Sequence, residues 1–403
     1  MKKLFLLLTV VLIITSCDSS KKEEAIFSAS KMLDLSVAKT KETTKSLVDS
    51  SAFLRNIPKG KTAWEVVGVE NWCSGFWPGI LWYSYEYSGD EFLKQEAEKF
   101  TLPIKKIAYS PAKNHDIGFI VYSSFGNGYR LTGNKEYKKI LLAAADTLAT
   151  LYNPNVGSIL SWPAKKAQFS HNTIIDNMMN LELLYWAARN GGSKELFEIA
   201  ENHAKITMQY IVRPDNAVYH VAEFNEHTGK FIKAHTYQGY ADESMWARGQ
   251  AWGIYGFAIS HRETGNKDFL NTSIKLADHF LERLPEDGIP FWDFDDPKIP
   301  NAPKDASAAA IAACGMLELS SLVEDNNLKD KYFNAAENLI KILSTKEYFS
   351  GDTNQALLLH STGHHPKNRE IDIPIIYADY YYMEALVRLK KMKTNNSELI
   401  LNK

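Results

Sequence analysis

The segment Thr132-Gly-Asn-Lys-Glu-Tyr137 returns almost unchanged as Thr264-Gly-Asn-Lys-Asp-Phe269. A repeated unit constrains a fold strongly, because each copy must bury its apolar face against its neighbours. Weaker copies stand at Ser88-Gly-Asp-Glu-Phe92, Asn190-Gly-Gly-Ser-Lys-Glu-Leu196 and Glu324-Asp-Asn-Asn-Leu-Lys329. Each follows one helical apolar pattern and precedes another, such as 138–151 or 270–284. Glycine or asparagine is expected to close the first helix in a left-handed cap, with polar residues opening the next. The chain thus carries five αα-hairpin turns, about 44 to 74 residues apart.

Five hairpins supply ten helices. Amphipathic stretches at 28–54 and 374–389 make twelve, and their pairing would close a ring of six hairpins. The expectation is an all-α (α/α)6 toroid, whose closure removes the need for the capping repeats of an open solenoid. One interruption alternates at period two: Val218, His220, Ala222 and Phe224, before the turn His227-Thr-Gly-Lys230, read as a small β-hairpin insertion. No linker divides residues 28–403, which read as a single domain.

Lys2 and Lys3, an apolar run from Leu4 to Ile14, and small residues before Cys17 form a secretory leader over residues 1–16. The run is too short to span a bilayer. Ile14-Thr15-Ser16-Cys17 is similar to a bacterial lipobox, which implies lipidation of Cys17 and a polar tether over 17–27. The expected location is therefore lipid-anchored in the envelope of a Gram-negative bacterium, on the periplasmic side or the cell surface. Removing the leader takes Lys2 and Lys3 with it and moves the formal charge from −2 to −4. With no basic run either, no nucleic-acid partner is expected. Cys73 and Cys314 read as buried thiols rather than a disulfide framework.

In a toroid the first helix of every hairpin starts at the same pole, and the unusual motifs sit at those starts. They are Trp72-Cys-Ser-Gly-Phe-Trp-Pro-Gly79, Asn114-His-Asp-Ile-Gly118, Ile174-Ile-Asp176, Asp242 through Trp252, Lys304-Asp-Ala-Ser307 and Ile371-Asp-Ile-Pro374. Six motifs far apart in sequence would converge on one mouth. Its aromatic residues suit the apolar faces of sugar rings, in a chain with 9 Trp and 20 Tyr. Arg248 could clamp a carboxylate with its planar fork. No ligand-spaced His, Cys and carboxylate set appears, so no metal is expected, and no phosphate-cradling loop implies a cofactor. Ser74, Ser244 and Ser307 lack a local base-and-orienter pattern. Paired carboxylates are the best chemical signal.

Each candidate also has a plainer reading. Asp116 could cap a helix starting at Ile117, and Asp176 could sit in the first turn of a helix capped by Thr173. Asp305 reads as a helix cap and Asp372 as structural. His115 and His220 could be satisfied core histidines, and Trp162 and Trp252 core rings. Arg248 is harder to dismiss, because a cation at a helix start opposes the helix dipole and wants an anion.

Taken together, Trp72 through Gly79, His115-Asp-Ile-Gly-Phe119, Ile174-Ile-Asp-Asn-Met-Met-Asn180, Ser244-Met-Trp-Ala-Arg-Gly-Gln-Ala-Trp252 and Ile371 through Pro374 carry a resemblance. The chain resembles glycoside hydrolase family 88, the unsaturated glucuronyl hydrolases, over nearly all of its expected mature length. That family is an (α/α)6 barrel. By resemblance Asp176 matches the general acid/base and Asp116 a second essential aspartate. His115, Trp162, His220, Gln238, Arg248 and Trp252 match positions lining the sugar pocket, as do Trp72 and Phe76.

The implied substrate is an oligosaccharide ending in a 4,5-unsaturated uronic acid, left by an upstream polysaccharide lyase. Its ring is an enol ether: Asp176 would protonate C4, water would add at C5, and the hemiketal would open and release the glycosidic link. No carboxylate need attack the anomeric carbon, so the separation rule for retaining and inverting enzymes does not apply. The rival enzyme reading is a family 105-type unsaturated rhamnogalacturonyl hydrolase. The rival of another class is a non-catalytic surface glycan-binding lipoprotein, which has no use for two carboxylates at one mouth. Glycosaminoglycan and ulvan fragments would present the same terminal sugar, with Lys367 in the loop 361–367 facing either a sulfate or solvent.

Overall fold

The computed structural model describes residues 27–401 except residue 48, with side chains placed through residue 394. The expected leader, Cys17 and the tether up to residue 26 lie outside the described residues. Long helices alternate between an inner and an outer ring. In chain order these are α1 (Ala29–Ser46), then α2 and α3 (Phe76–Ser88, Glu91–Thr101). Next come α4 (Gly118–Gly126 continued by Asn127–Thr132) and α5 (Lys135–Ala149), then α6 (Ile175–Met179 continued by Leu181–Arg189) and α7 (Glu195–Tyr210). The series ends with α8 and α9 (Ala247–Thr264, Lys267–Arg283), α10 and α11 (Ala306–Leu322, Asn326–Leu343) and α12 (Ile376–Leu401).

The turns between partners are built as their residues require. Gly89, Gly133 and Gly265 take left-handed conformations that end α2, α4 and α8, a region open to glycine at little cost. Asp90, Asn134, Asn266 and Asp325 then accept a backbone N–H to open α3, α5, α9 and α11. The fifth turn departs from expectation. It has no left-handed residue, since Val323 leaves α10 in an extended conformation and Asp325 caps α11 directly.

Burial separates the rings. Outer α9 buries only Phe269, Thr272, Ser273, Leu276, Ala277 and Phe280, one stripe at helical spacing. Inner α10 is buried from Ala306 to Ser320, and its run of small residues admits close neighbours. α12 packs against α10 and α2, and α1 packs against α12 and α2, so the first and last helices close the ring as the expected sixth pair. The molecule is an (α/α)6 barrel.

α4 is the irregular member. Residues Gly118–Gly126 form a π-helix, a wide form often found at functional sites. Gly118 is required there, because a Cβ would lie 2.6 Å from both the Cα and Oδ1 of Asn180.

The expected β-hairpin is present as the strands Val221–Phe224 and Phe231–His235, but it starts later than the alternation suggests. Val218 instead bridges Val212. A third strand, His171–Ile174, pairs antiparallel with Val221–Phe224 and was not expected. Thr173 belongs to that strand and caps nothing. Ile174 precedes the 3₁₀ turn that carries Asp176, so the reading of Asp176 as a Thr173-capped residue fails.

Candidate active site

The pole where the inner helices begin holds a cavity of about 430 Å³. Of the expected site residues, Trp72, His115, Asp116, Trp162, Asp176, Gln238 and Arg248 line it. His220 stands immediately behind, its Nε2 3.6 Å from Asp176 Oδ2. Phe76 and Trp252 do not line the cavity. They belong to a closed aromatic floor in which Phe76, Phe119, Trp252 and Tyr381 meet with centroids 5.2 to 6.0 Å apart. Trp72 rests on that floor, 5.7 Å from Phe76 and 5.6 Å from Phe119.

The two carboxylates are held differently. Asp116 does not cap α4: its own N–H donates to Asn114 Oδ1 at 3.0 Å, so Asn114 makes the turn. Its carboxyl is left for His115, whose Nε2 is 3.4 Å from Oδ1. Asp176 emerges from the strand at 171–174 on the 3₁₀ turn, with Oδ2 buried and without a hydrogen-bond partner.

His220 turns a donor toward Asp176. The backbone N–H groups of Tyr237 and Gln238 donate to His220 Nδ1 at 3.1 and 3.0 Å. That nitrogen must be unprotonated, so the proton of the neutral ring sits on Nε2, which lies 3.6 Å from Asp176 Oδ2 and 3.4 Å from the Gln238 amide nitrogen. Burial lowers His220 well below the usual histidine range and His115 to about 4, so neither is charged near neutrality.

Burial also pushes the acids upward. Asp116 rises to about 7 by desolvation against the pull of Arg55. Asp176 rises to about 6 by desolvation, with His115 and Arg248 pulling down and the Asp116 charge pushing up. The two feel each other and titrate as a pair. Near neutrality the pair holds a proton, as a general acid at this site requires.

The raised acids also set a pH dependence of stability. In the unfolded chain an aspartate ionises near pH 3.9, so above that pH the folded state binds more protons than the unfolded one. Stability then falls as pH rises through the raised values. Asp116→Asn, neutral at all pH, is expected to melt higher than the parent at pH 8 and to lose that advantage as pH drops toward 4. Thermal melts of both proteins across that range check it.

Arg248 differs from expectation. Its Nη1 donates to Asp305 Oδ2 at 2.8 Å and to the Thr362 carbonyl at 2.5 Å. Its Nη2 donates to Gln238 Oε1 at 3.2 Å and to the Gly363 carbonyl at 2.6 Å. Both terminal nitrogens are occupied, so the guanidinium is a tie between three chain segments rather than an open carboxylate fork. Asp305 is the helix cap it was read as, accepting from Ser307 N, and also the buried anion Arg248 needs. Asp372 pairs with His360 at the rim.

Several lining residues escaped the sequence reading: Arg55, Lys165, Tyr237, His364, Arg369 and Glu370. Lys165 lies 4.4 Å from the Trp162 ring centre and 3.5 Å from that of Tyr237. Arg55 donates through Nε and Nη2 to Glu370, at 2.6 and 2.7 Å. Lys165, one turn beyond Trp162, carried a weak signal; the Arg55–Glu370 pair, 315 positions apart, carried none. Among the described residues no group of three His, Cys, Asp or Glu could hold a metal ion.

Known proteins share this architecture. A sequence profile of Glycosyl Hydrolase Family 88 matches residues 40–393. An unsaturated glucuronyl hydrolase of Formosa agariphila is 39% identical over 350 residues, covering 86% of each chain. One from Bacillus sp. (strain GL1) is 37% identical over 355 residues, covering 87% of this chain and 94% of its own. The crystal structure of an unsaturated glucuronyl hydrolase specific for heparin superposes with a TM-score of 0.86 at 40% identity, covering 91% of this chain and 98% of the other. A matched profile across most of the barrel, on a site with two buried acids at one pole, means that this chain belongs to glycoside hydrolase family 88.

Proposed function

We propose that this glycoside hydrolase releases the 4,5-unsaturated uronic acid from the non-reducing end of lyase-generated oligosaccharides. The observation that carries the reading is the Asp116–Asp176 pair, buried at the mouth of a family 88 barrel and holding a proton near neutrality. Asp176 protonates C4 of the enol ether. Its conjugate base then faces His220 Nε2–H, a donor fixed in place by two backbone amides. Asp116 orders the water that adds at C5, and that water gives its second proton to the Asp176 carboxylate. The hemiketal opens, and the aglycone leaves without any bond to a carboxylate. Incubation with a lyase digest of heparin or chondroitin tests the reading: the ultraviolet absorbance of the unsaturated sugar should decay. Stable absorbance across glycosaminoglycan and ulvan digests would reject it.

The polymer we propose is a sulfated glycosaminoglycan. Lys165, Lys367 and Arg369 surround Tyr237, with Lys165 and Arg369 lining the cavity, and among the described residues none has a carboxylate within ion-pair distance. Arg369 is alone in this among the arginines of the described residues. Uncompensated cations at a sugar site suit a second anion on the substrate. The double variant Lys165→Met with Arg369→Met is expected to raise KM for a sulfated unsaturated disaccharide roughly ten-fold, about the worth of one charge-assisted hydrogen bond. KM for the unsulfated counterpart should barely change; equal effects on both would reject the role.

The envelope location belongs to the proposal as well. Among the described residues no helix is long and apolar enough to cross a membrane. Lipidation at Cys17 would supply the anchor, so Cys17→Ala is expected to move the protein from the membrane to the soluble fraction. Retention of that variant on membranes would reject the anchor.

A further inference from the structure

Asn180 lies at the junction of the two segments of α6 with no exposed surface. Its Oδ1 accepts the Phe119 backbone N–H at 2.8 Å. That bond fixes the amide, because only the oxygen can accept, and it turns Nδ2 toward His115 Nδ1, 3.5 Å away. An amide N–H facing Nδ1 demands a lone pair there, which leaves the proton of the neutral ring on Nε2. Nε2 is the atom 3.4 Å from Asp116 Oδ1. A chain therefore runs from Phe119 N–H through Asn180 and His115 to Asp116. Gly118, beside Asp116 in the π-helix, leaves the room in which Asn180 sits.

We propose that Asn180 is a positioning residue that fixes the His115 tautomer and so aims an N–H donor at Asp116. Two neutral histidines then serve the two acids alike, His220 locked by backbone amides and His115 by a side chain. The groups facing His115 are Asp116, the charge of Asp176, and the amides of Asn180 and Asn177. Asn177 is the competitor, since a carbonyl oxygen at Nδ1 would favour the opposite tautomer. Neither end of its amide reaches hydrogen-bond geometry, although it lies near enough to His115 to favour the charged ring as an acceptor would.

The kinetic part rests on the proposed function; the tautomer does not. Nitrogen-15 spectra of histidine-labelled, substrate-free wild-type protein should give His115 as the neutral Nε2–H form. A proton on Nδ1 would overturn the proposal without any variant. Asn180→Asp keeps the acceptor for Phe119 but not the donor, so His115 should move its proton to Nδ1 or become charged. Turnover of an unsaturated disaccharide should then fall roughly 10- to 100-fold, as when an outer hydrogen-bond partner is lost at other sites, with KM nearly unchanged. A variant that keeps the Nε2–H form, or wild-type kcat, would also overturn it. Absence of turnover in wild type would instead reject the function, leaving the tautomer to stand or fall on the spectra.

Discussion

Asp176→Asn should lower turnover of an unsaturated disaccharide by roughly 10²- to 10⁴-fold, the range contributed by a positioned general acid. The barrel should be unaffected. Asn matches the carboxyl in size, and its Oδ1 can take the place of the present Oδ2, 3.6 Å from His220 Nε2. The change removes a buried group that resists ionisation, so the variant should melt no lower than the parent above neutrality. KM should change little, because the proposed function assigns the hold on the sugar to Trp72, Trp162 and the rim cations. Kinetics with a melting curve on the same sample check this. Wild-type turnover in a folded variant would move the acid elsewhere, with Asp116 the next group to test.

Arg248→Met should destabilise the fold by about 3–5 kcal/mol, the usual cost of removing one partner from a buried ion pair. Arg248 and Asp305 are almost wholly buried, and the guanidinium also holds the carbonyls of Thr362 and Gly363. Methionine fills the space but leaves Asp305 as an uncompensated charge at the start of α10. A second substitution separates charge from packing: Asp305→Asn combined with Arg248→Met should recover part of the loss. Denaturant titrations of the single and double variants measure both. Loss below about 1 kcal/mol, the value of an exposed pair, would show that Arg248 is not the tie its hydrogen bonds imply.

The turns were legible because each is a local chemical requirement. Gly89, Gly133 and Gly265 occupy left-handed positions, and Asp90, Asn134 and Asn266 cap the helices after them. The fifth turn was found through its cap alone, since Asp325 needs no glycine before it. The π-helix was illegible, because the close approach of Gly118 and Phe119 to Asn180 is a contact between two helices. The strand at 171–174 was missed for the same reason: its partner begins at Val221.

At the site, motif position identified residues near the pole but not the direction of each side chain. Phe76 and Trp252 sit in motifs that start inner helices, yet both turn into the aromatic floor. Arg248 was read as wanting an anion, and it has one in Asp305. The apparent contradiction with the helix dipole is removed by a buried partner 57 positions away, which spacing alone could not name.

Enol-ether hydration by the Asp116–Asp176 pair is best tested by offering two disaccharides that differ only in the uronate C4=C5 bond. The unsaturated one should be cleaved, with its ultraviolet absorbance lost in step with release of the second sugar, and the saturated glucuronide should remain intact. Cleavage of both at comparable rates would mean attack at the anomeric carbon, and would contradict the mechanism derived from this site.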